Sequence, residues 1–296
     1  MEEKIKEFEL YRQQVCKKAN IFLAVGIVLV IAGFLLIISL ELPVFVLAIV
    51  FGFVFIGINS SLKNKLSKEF KQKFVINLVK EIYPNSTYNP NVGIAVERIM
   101  EPGLFKRPDR YFLEDYLASS YEGVGFEMCD FTFQERHVTY DSKGHARTTY
   151  ETYVKGRFMI FDFAREFNQV LKVVENAYLG LNTRGLEKIE TESIDFNKKF
   201  KTYTSDGVTA FYVLTPQIQL KLLELESKFK GSIFFAYMRG KLYVAITDGV
   251  SMLDINASKK LSLETLQILE SQLILPASII NELGLSDSKF STGDAI

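Results

Sequence analysis

The sequence predicts an α+β protein with three parts: an N-terminal transmembrane helical hairpin, an amphipathic stalk helix, and a cytosolic domain with a largely antiparallel sheet. Three observations predict this fold class. An apolar stretch over residues 21–58 is long enough for two membrane spans. A helical repeat of apolar and basic residues follows it. Short strand-like runs, separated by turn residues, then fill most of the remaining chain.

The apolar stretch divides into two predicted spans at a turn over residues 41–43. Residues 21–40 contain no charged side chain, and as a helix they would be about 30 Å long, the thickness of a bilayer core. Residues 44–58 would be about 22 Å long, which is short for a span. A re-entrant or interfacial second segment therefore stays open. A signal peptide or a buried core helix fits the first segment less well.

Basic residues flank the hairpin on both sides, and its connecting turn has none. Residues 1–20 are predicted to form a cytosolic helix that leads into the first span. The positive-inside rule then predicts a multi-pass protein of the cytoplasmic membrane with both termini in the cytosol. Five lysines after the second span form a predicted lipid-facing basic cluster, so the lipid bilayer is a predicted partner. These lysines are Lys63, Lys65, Lys68, Lys71 and Lys73.

Residues 59–83 are the predicted stalk helix, because apolar residues recur there at every fourth position. Residues 84–285 are the predicted α+β domain, and residues 286–296 are a predicted disordered tail. Turn residues predict β-hairpins at 141–144 and 239–240. A change in the apolar alternation predicts a β-bulge near Met128. Residues 210–214 are predicted to be extended, and residues 263–283 mainly helical with a break at Pro276.

Composition excludes some classes of partner. Lys plus Arg and Asp plus Glu both total 35, and this balance argues against a nucleic-acid partner, which favours a strongly basic domain. The two cysteines, Cys16 and Cys129, follow no metal or disulfide spacing and fit a reducing compartment. Cys16 lies just before the first span, where acylation is conceivable, but an idle thiol is favoured.

The sequence predicts no catalytic, cofactor-binding or metal-binding residue. It contains no P-loop, dinucleotide fingerprint, His-Glu-x-x-His or Gly-x-Ser-x-Gly motif. His137 and His145 flank a predicted turn, where solvated roles are favoured over metal binding. Some acids are candidates for acid–base chemistry, although nothing in their spacing forces any two of them together, and Asp195 fits a helix cap. These acids are Glu114, Asp115, Asp162, Asp195, Asp206 and Asp248.

Several runs in the second half resemble a known family. They cover residues 153–163, 192–203, 206–216 and 231–246, with the acidic pair Glu114–Asp115 upstream. Together with the apolar hairpin, they are similar to the bacterial membrane protein family called domain of unknown function 3137. The chain departs from the family pattern at Phe211, where the family has arginine. The resemblance implies a bacterial cytoplasmic membrane and a LemA-type membrane protein as a partner. It supplies no activity.

These observations favour a membrane-anchored cytosolic interaction or scaffold module of unknown specific role and without catalysis. The alternative is a membrane-bound enzyme that uses carboxylates of the cytosolic domain, so enzymatic activity is left open. A transporter subunit is disfavoured, because neither predicted span contains an ionisable residue that would mark a pathway.

Overall fold

The computed structural model describes residues 2–40, 43–162, 169–175 and 180–286. The helices are α1 (Glu2–Leu40), α2 (Val46–Phe70), α3 (Ile76–Ile82), α4 (Val96–Met100), α5 (Ile194–Lys199), α6 (Gly207–Val213), α7 (Pro216–Ser227) and α8 (Leu263–Leu283). The strands are β1 (Thr87–Asn89), β2 (Arg110–Tyr121), β3 (Val124–Tyr140), β4 (Ala146–Asp162), β5 (Leu171–Glu175), β6 (Glu187–Ile189), β7 (Phe200–Thr204), β8 (Ser232–Met238) and β9 (Lys241–Thr247). Most of the predicted turn over 41–43 lies outside the described residues. So does the predicted tail, except for Ser286, whose hydroxyl donates to Glu122 at 3.1 Å.

The chain divides into two compact units. One comprises Met1–Leu78 and Leu253–Glu270, and the other comprises Val79–Met252 and Ser271–Ile296. The sequence assigned residues 253–270 to the domain over 84–285, whereas the structure groups them with the N-terminal helices. Contacts between positions more than 240 residues apart, described below, account for this difference.

Helix α1 joins the predicted cytosolic helix and the first predicted span into one unbroken element of 39 residues. No proline or turn residue interrupts this stretch, and the structure shows an apolar half continuing directly from a polar half. By length and composition, α1 and the helix over Val46–Ile82 can both cross a membrane. The two helices therefore indicate a membrane-anchored protein.

Helices α1 and α2 approach each other closely at two glycines. A Cβ atom on Gly52 would lie 2.7 Å from the carbonyl oxygen of Gly26 and 2.6 Å from a methyl group of Val30. Small residues allow this approach, as they do in membrane helix pairs generally. Further along α2, the Asn59 side chain donates to the carbonyl of Ala19 at 2.6 Å and ties the two helices together.

The stalk is helical as predicted, but it contains a wider π-helical turn at Lys71–Val75, between α2 and α3. On an α-helix, apolar residues spaced by four rotate about 40° further around the axis at each step. A π-turn holds more residues per turn, so it turns the apolar stripe back. Leu66 and Phe70 before the π-turn and Phe74 within it are all buried, and the Phe70 ring lies 5.2 Å from that of Phe8 on α1.

In the second unit, nine strands of the described chain form one antiparallel sheet in the order β1-β2-β3-β4-β9-β8-β5-β7-β6. This confirms the α+β class with a largely antiparallel sheet. One face carries an aromatic core in which Phe105 contacts Phe131, Phe133 and Phe234 at centroid distances of 5.2 to 6.0 Å. Rings of this size bury enough apolar surface to dominate the energetics of such a core.

The predicted hairpin turns are confirmed. One carboxylate oxygen of Asp141 accepts the backbone N–H groups of Lys143 and His145 at 2.9 and 2.8 Å, which closes the β3–β4 turn. Arg239 and Gly240 both have positive φ, 51° and 67°, as a two-residue hairpin between β8 and β9 requires. Helix α8 runs through Pro276, where the sequence predicted a break.

The predicted bulge lies on the neighbouring strand. Its register shift falls between Glu114 and Leu117 of β2 and not at Met128 of β3. The extra residue allows Asp115 to take a φ of 59°, which is uncommon for a residue with a side chain. The Tyr88 hydroxyl donates to the buried Asp115 carboxylate at 2.6 Å. The apolar pattern of one strand detects a bulge but does not show which of the two strands carries it.

The predicted extended segment over residues 210–214 is wrong, because α6 occupies Gly207–Val213. Its β-branched and aromatic residues favour strands on propensity alone. A local helix start overrides that preference: the Asp206 carboxylate accepts the N–H of Val208, and its backbone carbonyl accepts that of Ala210.

Candidate functional site

The five lysines of the predicted basic cluster do not share one environment. Lys65, Lys68 and Lys73 are exposed and Lys63 is partly exposed, so these four can meet solvent or lipid headgroups. Lys71 is only 5% exposed, and its ammonium lies 2.7 Å from the Asp254 carboxylate. Lys71 therefore has a structural partner, and the exposed basic cluster consists of the other four lysines.

Two of the candidate acids, Glu114 and Asp115, lie together, with carboxylate oxygens within 4.8 Å of each other. Asp162 and Asp195 each have a local cationic partner. Asp162 is exposed at the end of β4 and accepts from Lys241 at 2.5 Å. Asp195 is exposed and lies 3.4 Å from Lys198. Helix α5 is capped by Ser193 and not by Asp195 as the sequence suggested, because the Ser193 hydroxyl accepts the N–H of Phe196. Among the described ion pairs of these six acids, the cation that pairs with Asp248 is the most buried.

The two histidines are bound in different ways. His145 Nδ1 lies 2.9 Å from the Asp141 carboxylate within the hairpin turn, and these contacts lower the pKa of Asp141. His137 lies on β3, 3.5 Å from Glu151 of β4. Each imidazole therefore contacts a different carboxylate, and both histidines lie on the surface of the hairpin.

Lys172 is a buried amine that the sequence did not single out. It lies on β5, and burial lowers its pKa to about 8. Lysines with lowered pKa can act as nucleophiles. Here the ammonium donates to the carbonyl of Asn182 at 2.6 Å and approaches that of Gly103 at 3.5 Å. Lys172 therefore holds two loops together.

The β3–β4 hairpin extends beyond the strands next to it. Strand β2 pairs with β3 only as far as Gln134, and β9 pairs with β4 only over Arg157–Asp162. Residues 136–152 are all exposed. We call residues 134–152 the ribbon. A two-stranded ribbon gains little stability on its own, so its length is unexplained by the needs of the core.

One face of the ribbon is aromatic and basic. Side chains alternate between faces along a strand, and the register places six residues on the same side, which we call the aromatic face: Arg110, Phe112, Arg136, Val138, Tyr140 and Tyr150. The Arg110 guanidinium lies 5.2 Å from the Phe112 ring and 4.3 Å from the Tyr150 ring. Tyr140 is 72% exposed and Phe112 is 52% exposed. The acids Glu135 and Glu151 lie on the opposite face.

Arg157 is the second functional candidate that sequence reasoning missed. It lies on β4, is 2% exposed, and pairs through Nη2 with the Asp248 carboxylate. Asp130 is its cross-strand neighbour on β3. Burial lowers the pKa of the Arg157 guanidinium, and the charge of Asp130 opposes that change. The signal in the sequence was an arginine next to a strand segment that is apolar on both faces. A charged side chain is rarely buried in such a strand unless it is paired.

A cavity of 430 Å³ lies beside Arg157. Helices α7 and α8 and the segments that follow α7 and β9 form its walls. Among the residues that the structure describes, Arg157 Nε and Nη1, Gln272 Oε1 and Glu282 Oε2 are buried and have no hydrogen-bond partner. The other Glu282 oxygen accepts from Lys228 at 2.5 Å. These unpaired atoms have almost no accessible surface, so they are buried behind the cavity wall and do not face the cavity.

Residues 152–285 match the family model described as Protein of unknown function (DUF3137). This segment is similar to DUF3137. The resemblance seen in the sequence is thereby confirmed for this segment. The matched segment begins within β4 and extends past the end of α8, so every residue that lines the Arg157 cavity lies within it. All six residues of the aromatic face lie before the matched segment.

Two other comparisons add little to this match. No curated protein matches the sequence. Among solved structures, the chain is similar to the mycobacterial trehalose monomycolate transport factor A, TtfA, with a TM-score of 0.38 and 7% identity. That alignment covers 69% of this chain and 90% of the TtfA chain.

Proposed function

We propose that the protein is a membrane-anchored module that presents its α+β domain to the cytosol and binds another membrane protein there without catalysis. The observation that carries this proposal is the aromatic face of the ribbon. Exposed aromatic residues together with arginine are the composition enriched in protein interfaces.

The proposed partner is a membrane protein with an acidic and apolar surface. The aromatic face carries Arg110 and Arg136, while the acids of the ribbon strands lie on the other side, so an acidic surface complements it. Two apolar helices would hold this chain at the bilayer and so favour a partner in the same membrane. A LemA-type protein, which the family resemblance implies, is the specific candidate, and a bacterial cytoplasmic membrane is the proposed setting.

We expect a photo-cross-linking amino acid at Tyr140 to give a discrete adduct with a co-expressed LemA-type protein in intact membranes. Thr139 is the matched control, because it is adjacent in sequence and exposed but points to the opposite face of the ribbon. Gel mobility and mass spectrometry of the adduct are the readouts. Equal adducts from both positions, or none from position 140, would refute the proposed interface.

The proposed cytosolic location of the α+β domain leads to a second prediction, which concerns membrane topology. A cysteine introduced as Ser142→Cys at the tip of the ribbon should react with a membrane-impermeant maleimide only after cells are opened. Glu41→Cys, between the two spans, should react in intact cells. The native cysteines leave this assay clear because both are buried, and burial raises the pKa of the Cys129 thiol to about 12.

The four exposed lysines should set this orientation. Changing Lys63, Lys65, Lys68 and Lys73 to Gln removes the positive charge after the second span while Lys71 keeps its bond to Asp254. This variant should stay in the membrane fraction, yet a part of it should label at Ser142→Cys from outside. Labelling of that cysteine in intact cells when the lysines are native would show the opposite orientation.

A further inference from the structure

Within the ribbon, the outer edge of β4 lies open. On one side β4 pairs with β3, and on the other side β9 pairs with it only over Arg157–Asp162. The loop after β9 covers one more position, where the N–H of Gly249 donates to the carbonyl of Lys155 at 3.1 Å. Residues 146–152 therefore have no strand of the described chain on their outer side. An unpaired edge of this kind is a template for a further strand.

The hydrogen bond that closes the ribbon turn shows which backbone groups lie on this edge. The N–H of Asp141 donates to the carbonyl of His145 at 3.1 Å, so His145 directs its carbonyl toward β3. Along a strand, successive residues direct their backbone groups to opposite sides. The odd-numbered residues from 147 to 151 therefore face β3. The even-numbered residues from 146 to 152 direct their N–H and carbonyl groups outward.

The sequence of this edge is complementary to itself. When two copies pair antiparallel with Thr149 opposite Thr149, Arg147 of each copy lies opposite Glu151 of the other. The outward backbone groups of Thr148 and Tyr150 then meet and form the hydrogen bonds of the new ladder. Arg147 and Glu151 fall in the non-hydrogen-bonded pairs, where opposite side chains are closest. Two ion pairs therefore form across one two-fold axis.

The two charges that meet in this register lie on the surface of each copy. The Glu151 side chain is 78% exposed and lies 3.5 Å from the His137 ring. Arg147 is exposed and forms no ion pair with any acid that the structure describes. Moving the axis by one residue in either direction places Arg147 opposite Thr149 or Tyr153, which are uncharged. The charges therefore select the register centred on Thr149.

The outer edge of β3 is less suited to a second copy. Residues 136–140 contain no acid, so two β3 edges would gain no ion pair. The first outward N–H of that edge, at Arg136, already donates to the Asp109 carboxylate at 2.8 Å. Between the two edges of the ribbon, the charges thus favour β4.

We propose that the protein forms a two-fold symmetric dimer in which the β4 edges of two copies pair antiparallel over residues 146–152, with Thr149 on the axis. Two-fold dimers use one self-complementary patch twice, as this edge allows. A short ladder is weak on its own, but anchoring both copies in one bilayer raises their effective concentration. Opposite residues of an antiparallel pair share a face, so the dimer places two aromatic faces side by side. The dimer does not depend on the partner proposed above.

Cysteine cross-linking in membranes that contain two differently tagged copies of the full chain tests this dimer. Under mild oxidation, Thr149→Cys should form a disulfide between copies, because opposite Cα atoms of a non-hydrogen-bonded pair are about 4.5 Å apart. Thr148→Cys is the matched control: it is also exposed, but its copies would lie on a diagonal about 7 to 8 Å apart and should link at least about fivefold more slowly. The native cysteines are buried. Absence of a Thr149→Cys adduct, equal linking at both positions, or adducts that never contain both tags would overturn the proposal.

Charge variants in the Thr149→Cys background test the register. Arg147→Glu places two like-charged pairs across the axis, so the cross-linking rate should fall about tenfold. The exchange Arg147→Glu with Glu151→Arg returns opposite charges to both pairs and should restore the rate. Both positions are exposed, so the fold of each copy should be unaffected. A rate that is unchanged in the single variant, or that stays low in the exchange, would refute the pairing of Arg147 with Glu151.

Discussion

Replacing Gly156 by Ala should unfold the central part of the sheet. Strands β4 and β9 approach so closely there that a Cβ atom would lie 1.9 Å from the carbonyl oxygen of Ile246 and 2.8 Å from its carbonyl carbon. Both atoms belong to the backbone of a paired strand, and they cannot move unless the ladder between β4 and β9 breaks. We expect a loss of about 4 kcal/mol or more in the free energy of unfolding.

The measurement is the unfolding midpoint of the purified protein, followed by limited proteolysis of the α+β domain. Gly125→Ala in β3 is the control, because its Cβ atom would meet Asp162 at an ordinary contact distance of 3.5 Å. The control should leave the midpoint nearly unchanged. If the two variants unfold alike, the close approach of β4 and β9 does not exist.

The second large effect should come from Arg12→Leu. Arg12 and Glu9 are buried on α1 and joined by two hydrogen bonds of 2.7 Å. The pair also binds the segment before α8: Arg12 donates to the carbonyl of Ala257 at 2.8 Å, and Glu9 accepts the N–H of Leu261 at 3.0 Å. Removing Arg12 leaves the buried Glu9 carboxylate without a cationic partner, a change that costs about 3 to 5 kcal/mol.

Hydrogen exchange at the Leu261 amide measures this effect directly, since that amide should lose its protection in Arg12→Leu. The double variant Glu9→Met with Arg12→Leu should be less destabilised than the single one, because no charge is left buried. Lys198→Leu is the control: it breaks a pair with the same spacing, Asp195 and Lys198, that is exposed on α5, and it should change stability little. Unchanged exchange at Leu261 in Arg12→Leu would contradict the proposed link.

Elements that depend on neighbouring residues could be predicted from the sequence. The turn at Asp141 is made by bonds within five residues, and the turn at Arg239 needs only two residues with positive φ. The start of α7 likewise follows from Thr215 and Pro216. The α+β class follows from the same local signals, because alternating runs and turns predict an antiparallel sheet.

Features that depend on distant residues could not be predicted. Lys71 fits a basic stripe in the sequence, and its burial depends on Asp254, far along the chain. Arg157 stands beside an apolar strand, and no local pattern shows that Asp248 will pair with it. The π-turn in the stalk adjusts the direction of the apolar residues to the surface on which they pack. Only tertiary packing defines that surface, so the sequence does not show where the turn is needed.

The unbroken course of α1 gives its two halves a mechanical connection. A helix of 39 residues is about 58 Å long, and about half of that length lies on the N-terminal side of the first apolar span. A rigid helix of this length would transmit a tilt of one half to the other half. A tilt of about 10° within the bilayer would displace the N-terminal end by roughly 5 Å, in proportion to the length of that arm. The displacement would act on Glu9 and Arg12, and through them on residues 257–261. A change in bilayer thickness would therefore displace the segment that leads into α8.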